Sequence, residues 1–408
     1  MDVHEAFHLD NLSLPVPQRI NLLLLLGCWF WYLIIKLYIK NDIDIVKLIA
    51  LDKSASKEED GDNTFNTNNN ANNLSTLKLS KIVYNFNVKL TKIILPMHII
   101  TCTFWFFRQN YADVLFSQPI DSPDSRNDPF FLFAMAQRIC EIIIKTSKIY
   151  PLLQALFIVY YILRNCSIIR YCCSRLIFIE SRPRNLRTTY ILISDTLTSY
   201  AKPLIDFTIY NSILITGEIK LRHLDLLVAC IPIFIRIFQC IREFINSNGM
   251  DKNHLYNSMK YASGLPVLFC MWISRAYPEY HETYQINVFH KVFMLINSTF
   301  SFYWDIRKDW SITSLYNIRS SSVANTKADP KANKRVNFPV KYYYYTIFYD
   351  LIIRYWWCWI FFGQILGFEL TDSMIFDGET QYLEIARRAL WAIFRLESDH
   401  ISSMTSIK

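Results

Sequence analysis

The sequence predicts an all-α polytopic membrane protein with about nine or ten transmembrane helices. Three observations carry that expectation. Of the 408 residues, 52% are hydrophobic and only 19% are charged, and the mean hydropathy is positive. Apolar runs long enough to cross a bilayer recur along the chain, and short polar or basic stretches separate them. The formal net charge of +8 is modest and fits basic loops facing a cytosolic leaflet better than a nucleic-acid patch.

Residues 20–39, INLLLLLGCWFWYLIIKLYI, have about the length of one span. No small-residue cleavage site follows, and Lys36 and Lys40 close the run, so it reads as a retained helix and not a removed signal peptide. Residues 54–80 are rich in Asn and charge and are expected to form a disordered loop; Asn73-Leu74-Ser75 is a glycosylation sequon if that loop faces a lumen. The next apolar runs are 92–107, 129–144 and 147–163. Between the first two, Asp113, Asp121, Asp124 and Asp128 stand against Arg126 alone. Residues 164–187 then hold six arginines against Glu180, which marks a cytosolic loop. Further runs follow at 189–214, 224–245, 259–275, 286–304, 342–368 and 381–396, with a basic polar linker at 320–337. This divides the chain into N-terminal spans with their Asn-rich loop, 1–145, and a membrane domain with a short polar tail, 146–408.

The ten cysteines lie mostly inside apolar runs, with no CxxC and no Cys/His spacing of the zinc type, and no cofactor motif is legible. Cys172 and Cys173 serve either as small packing residues or as a palmitoylation site. There is no Gly-rich loop of the GxxxxGK[ST] kind to hold a nucleotide phosphate.

Ionisable groups inside the apolar runs are the informative departures, because each costs about 2.5–3.5 kcal/mol to insert. Asp195, Thr198, Ser199 and Lys202 follow the spacing of one helix face. Arg236, Gln239 and Arg242 recur three apart; Asn257 and Lys260 read as the start of a helix. Asp305 and Asp309 share a face between Trp304 and Trp310, which suit an interfacial aromatic belt; the pair reads either as carboxylates that bind a metal or neutralise basic neighbours, or as a solvated helix end. Asp350 and Arg354 are spaced for an internal ion pair. In the last run Arg387 and Arg388 are adjacent; Glu384 is spaced to pair with Arg388, leaving Arg387 without a local partner. Each has a structural explanation as a helix–helix seal or ion pair. Together, Arg236, Lys260, Arg354, Arg387 and Arg388 supply five cations on separate runs, with Asp195, Asp305 and Asp309 to hold them oriented. Guanidinium groups fork onto planar or tetrahedral oxyanions, so the set suits an anion such as inorganic phosphate, with sulfate and carboxylates open on charge alone.

These stretches, in order, resemble the EXS domain, the membrane domain shared by eukaryotic phosphate exporters and the fungal ER-retention-defective proteins of the Golgi. The matching pieces are YPLLQALFIVYYIL at 150–163, DTLTS at 195–199, PIFIRIFQCIRE at 232–243, HLYNSMKY at 254–261, YWDIRKDW at 303–310, the YYY…LIIRYWW run at 343–357 and ARRALWAIFRLESDH at 386–400. The resemblance implies an EXS-type helical bundle and a phosphate pathway lined by Asp195, Thr198, Lys260, Asp305, Asp309, Arg354, Trp357, Arg387 and Arg388. Thr198 stands where exporters often have Asn, Ala201 where some have a hydroxyl, and Asp399 where the closing motif has Glu. The first helix begins near residue 20, without the soluble inositol-pyrophosphate sensor of the exporters, which points to the short fungal Golgi branch.

That branch implies a Golgi phosphate transporter returning lumenal phosphate from glycosylation to the cytosol, and supporting retention of lumenal ER proteins and glycosyltransferase recycling. The alternative is a membrane receptor or adaptor for glycosyltransferase retrieval that carries nothing. A phospho-alcohol transferase using Asp305 and Asp309 on a metal is disfavoured, since such enzymes place acids in denser, glycine-containing motifs. The expected partners are inorganic phosphate, the lipid bilayer and a cytosolic glycosyltransferase-sorting adaptor, with a homodimer as one arrangement and no nucleic acid. An even number of spans puts both chain ends on one side, and the resemblance suggests the cytosol.

Overall fold

The computed structural model describes residues 16–49, 76–116, 148–175, 186–216, 223–277, 284–312, 338–358 and 375–406, with isolated positions between 135 and 142. Among these residues every regular element is a helix, so the chain is the all-α membrane protein its composition predicts. The Asn-rich stretch up to residue 75 with its sequon, residues 117–128, most of the run 129–144 and the linker 320–337 lie outside the described residues.

Helix α1 (Val16–Lys40) matches the first expected span, and a single turn, α2 (Ile45–Leu48), follows it. Helix α3 (Thr76–Phe116) is much longer than the apolar run 92–107, and residues 76–80, expected as loop, open it. Its buried residues Leu79, Asn87, Leu90, Ile94, His98 and Thr101 recur at helical spacing, and they extend the helix beyond the purely apolar stretch. Helix α4 (Tyr150–Asn165) turns by 106° into α5 (Ser167–Ser174), so a short helix occupies part of the expected arginine-rich loop.

Two expected single spans are each two helices. The run 189–214 divides into α6 (Arg187–Ser199) and α7 (Ala201–Thr216), parted at Tyr200, whose hydroxyl donates to the Leu23 carbonyl at 2.8 Å. Lys202 therefore leaves the face of Asp195 and lies half-exposed, 3.5 Å from Asp206. After α8 (Leu224–Asn246), the run 259–275 divides into the end of α9 (Lys252–Ala262) and α10 (Leu265–Ala276), which places Lys260 in the last turn of α9 and not in a first turn. The Asp251 carboxylate caps α9 by accepting from the Asn253 backbone N–H at 3.0 Å. Slight burial pushes that carboxyl up, but the Asn253 donors outweigh it and hold it below the usual carboxylate range. Helix α11 (Tyr284–Trp304) runs into a π-helical turn, Asp305–Asp309, and α12 (Val340–Arg354) and the 32-residue α13 (Ile375–Ser406) complete the bundle.

Among the described residues, Gln18–Lys40 and Leu224–Asn246 are each long and apolar enough to cross a bilayer alone, and the bent pair α4–α5 adds a third. Helix α8 shows how the bundle reverses the pattern of a soluble protein. Its exposed face carries Leu227, Ile231, Phe234, Phe238, Ile241 and Ile245, while Asp225, Arg236 and Gln239 are buried. Apolar groups outward and ionisable groups inward is the arrangement a lipid environment demands.

Helices α1 and α13 run parallel. Leu23 packs with Ile385 near one end, and the Tyr38 hydroxyl donates to the Ile393 carbonyl at 2.7 Å near the other. The described start of α1 and the described end of α13 therefore lie on opposite sides of the bundle, against the expectation of both chain ends on one side. The largest apolar cluster joins the second half of α1 (Ile34, Ile35, Tyr38) to α13 (Trp391, Phe394, Leu396) and Trp310. Trp304 and Trp310, expected in an interfacial belt, are buried, 5% and 1% exposed, because the π-helical turn faces them inward onto α9, α12 and α13.

Candidate functional site

One face of α13 carries a row of polar groups. Gln381, Glu384, Arg388, Trp391, Arg395 and Asp399 follow three- and four-residue spacing, so they stand one above another. Eighteen steps of about 1.5 Å separate Gln381 from Asp399, or about 27 Å, close to the thickness of a hydrocarbon core. At one end Gln381 donates to Asp206 of α7 at 2.6 Å; at the other Asp399 accepts from Thr188 of α6 at 2.9 Å.

Around the middle of this face the ionic groups form two linked clusters. In the first, Asp195 takes the Arg236 Nε at 2.7 Å and the Tyr261 hydroxyl at 2.6 Å. Arg236 also donates to Gln239 at 2.7 Å, to Ser194 at 3.1 Å and to Tyr261 at 3.0 Å. In the second, Arg387 forks onto Glu384 with two bonds of 2.7 Å and reaches Asp350 at 2.8 Å. Arg354 holds Asp350 through Nε at 3.1 Å and pairs with Asp305, and Arg387 stands 3.5 Å from the same Asp305. Asp309 is held separately, by Trp391 Nε1 at 3.1 Å and Arg395 at 3.0 Å. Asp195, Asp305, Asp309, Asp350, Arg236 and Arg387 are all buried. Of the two readings of Asp305 and Asp309, the pair is buried and neutralises basic neighbours, and is not a solvated helix end.

Arg387 and Arg388 exchange their expected roles. Glu384 is spent on Arg387, three residues on, and not on Arg388, four residues on; both spacings lie within reach on a helix, and tertiary partners decide. Arg388 donates to hydroxyls instead, to Ser199 at 2.7 Å and Thr198 at 3.2 Å, and stacks on Trp391 at 4.8 Å. Ser199 in turn donates to Glu384 at 2.7 Å, so the fork on Glu384 is already fully used.

Lys260 is the second cation of this kind. It is buried, donates to the Tyr261 hydroxyl at 3.1 Å, and lies 4.2 Å from the Tyr261 ring centre and 5.8 Å from that of Trp304. Among the described residues neither Lys260 nor Arg388 has a carboxylate within ion-pair distance. Both act electrostatically on Asp195 and on Asp305, which places them near the same two acids, where α6, α9, the π-helical turn and α13 meet.

The structure thus gathers Asp195, Thr198, Arg236, Lys260, Asp305, Asp309, Arg354, Arg387 and Arg388 into one network. Trp357 stands at its edge, its indole N–H donating to Ser298 at 3.3 Å, and Ser298 donating to the Arg354 carbonyl at 3.0 Å. Sequence reasoning left out Tyr261, which bridges Asp195, Arg236 and Lys260, and Arg395, which holds Asp309 and Asp399. Arg395 carried a usable signal: it repeats Arg388 after seven residues on the same face. Tyr261 carried only its place at the end of the matching stretch HLYNSMKY, since tyrosines are abundant here and its role depends on the turn that ends α9.

Comparison with known proteins places these features in a family. The chain is 34% identical to Protein ERD1 of Saccharomyces cerevisiae, with 98% of each chain covered. It is 28% identical to Protein ERD1 of Kluyveromyces lactis, covering 96% of this chain and 95% of that one. A more distant relative is Solute carrier family 53 member 1 of Mus pahari, 27% identical over 180 residues, or 43% of this chain and 24% of that protein. The EXS family matches residues 14–401, nearly the whole length including every member of the charge network, and the chain belongs to that family.

Proposed function

We propose that this chain carries inorganic phosphate across the Golgi membrane, returning lumenal phosphate released by glycosylation to the cytosol, and that retention of lumenal ER proteins and recycling of glycosyltransferases depend on that activity. The observation that supports it most is the pair Lys260 and Arg388. Arg236, Arg354, Arg387 and Arg395 are held by carboxylates and form a frame. Lys260 and Arg388 lie beside that frame with only hydroxyl and aromatic partners among the described residues. Lys260 is buried and Arg388 half-buried; a buried cation without a counter-charge costs several kcal/mol, and an oxyanion accepting from the Arg388 guanidinium, the Lys260 ammonium and the Thr198 hydroxyl offsets that cost in passing. The frame keeps the acids from collapsing onto these two cations, and so keeps the site open to a mobile anion.

The test is uptake of labelled phosphate by liposomes holding the purified full chain, wild type beside Lys260→Gln and Arg388→Gln, each shown to be folded. Losing one charge-assisted contact of roughly 1.5–3 kcal/mol should slow uptake about ten- to a hundredfold in each variant. Wild-type rates in both would remove these residues from the pathway. No uptake by folded wild type, across several gradients, would favour the adaptor reading.

A further inference from the structure

The face of α13 that carries Arg388 continues past it. Arg395 lies seven residues on, about 10.5 Å along the same face, toward the end where Asp399 meets Thr188. Its guanidinium bridges two acids, Asp309 at 3.0 Å and Asp399 at 3.2 Å. Its Nε–H is buried and has no hydrogen-bond partner. A charged donor left unused in a buried position costs stability.

The two acids are not stranded if Arg395 lets go. Asp309 keeps the Trp391 indole N–H on its other oxygen, at 3.1 Å, and Asp399 keeps the Thr188 hydroxyl on its other oxygen, at 2.9 Å. Arg395 can therefore exchange a carboxylate for another oxyanion with each acid still holding a neutral donor, whereas Arg387 is bound to three carboxylates at once and forks onto Glu384. Trp391 links the two positions: Arg388 stacks on its face while its N–H reaches Asp309.

We propose that Arg395 is a second anion station, receiving a tetrahedral oxyanion from beside Arg388 and Lys260 through its Nε–Nη edge, and that the Thr188–Asp399 bond is the latch that covers it. The proposal rests on the transport reading. In the present conformation the Nε atom is covered, so the station fills only when the latch opens and α6 parts from α13 at this end.

The test uses liposomes in which the orientation of the full chain is established, with half-saturating phosphate measured separately from each side. Arg395→Lys keeps the charge and the pairing but loses the fork. It should raise half-saturation about tenfold for phosphate offered from the side of the α13 C-terminus and leave the opposite side within twofold. Thr188→Val removes the latch without touching Arg395 and should raise turnover by up to about fivefold, the equivalent of one hydrogen bond. Equal shifts from both sides would make Arg395 a frame residue, and no shift from either side would remove it from the pathway; either result overturns the proposal. Wild type that moves no phosphate would overturn the transport reading itself, a separate outcome from wild-type transport that is indifferent to Arg395.

Discussion

Arg387 and Arg388 are neighbours in sequence and point about 100° apart around α13. Arg387 meets three carboxylates, while Arg388 meets two hydroxyls and an indole. The difference makes a prediction at the scale of single residues. Arg387→Gln leaves buried Asp350 with Arg354 alone and part-exposed Glu384 with only the Ser199 hydroxyl, and should lower unfolding stability by about 1.5–3 kcal/mol, read as a clear fall in Tm in detergent. Arg388→Gln removes a charge that no carboxylate pairs with directly; it should hold Tm closer to wild type than Arg387→Gln does, while slowing phosphate uptake about ten- to a hundredfold. The opposite ranking of Tm would mean that the carboxylates are not organised by Arg387. The sequence was a good guide to which residues gather here and a poor one to who pairs with whom. The i, i+4 spacing of Asp350 and Arg354 predicted a bond that exists; the same spacing of Glu384 and Arg388 did not, because Ser199 and Thr198 of α6 take Arg388 first.

Helix boundaries were less legible than helix existence. The breaks at Tyr200 and at Ser263–Gly264 fall inside continuous apolar runs, so hydropathy passes straight through them. A local signal was present at both: Pro203 and Pro266 lie in the first turns of α7 and α10, where proline is tolerated, and each has a helix ending just before it. Both breaks serve the site. The first ends α6 at Ser199, beside Arg388 and Glu384, and the second ends α9 at Ala262, just past Lys260 and Tyr261. The turn between α8 and α9 sets the approach of α9, and there Gly249 has φ +74°. A Cβ at Gly249 meets only ordinary contact with Phe244, at 3.6 Å, so the cost of Gly249→Ala is backbone strain of about 1–2 kcal/mol. The expected result is a moderate fall in Tm with uptake retained. An unchanged Tm would show that this turn relaxes without the left-handed residue.

For the whole molecule, composition and hydropathy were enough to give the class, because lipid imposes helices and outward apolar faces on almost any chain that crosses it. The assembly of the network was not, because it joins residues up to about 190 positions apart, such as Arg388 and Thr198, and no local pattern encodes that meeting. The transport reading requires an anion to bind beside Lys260 and Arg388. Ligand that binds only the folded state stabilises it by about 2.7 kcal/mol at a hundred times its Kd, so the claim is read most directly from the Tm of purified protein titrated with phosphate, with chloride at matched ionic strength as control. Wild type should rise in Tm with phosphate, and Arg388→Gln, equally folded, should stay flat. A rise of the same size in both, or no response in wild type, would contradict the claim.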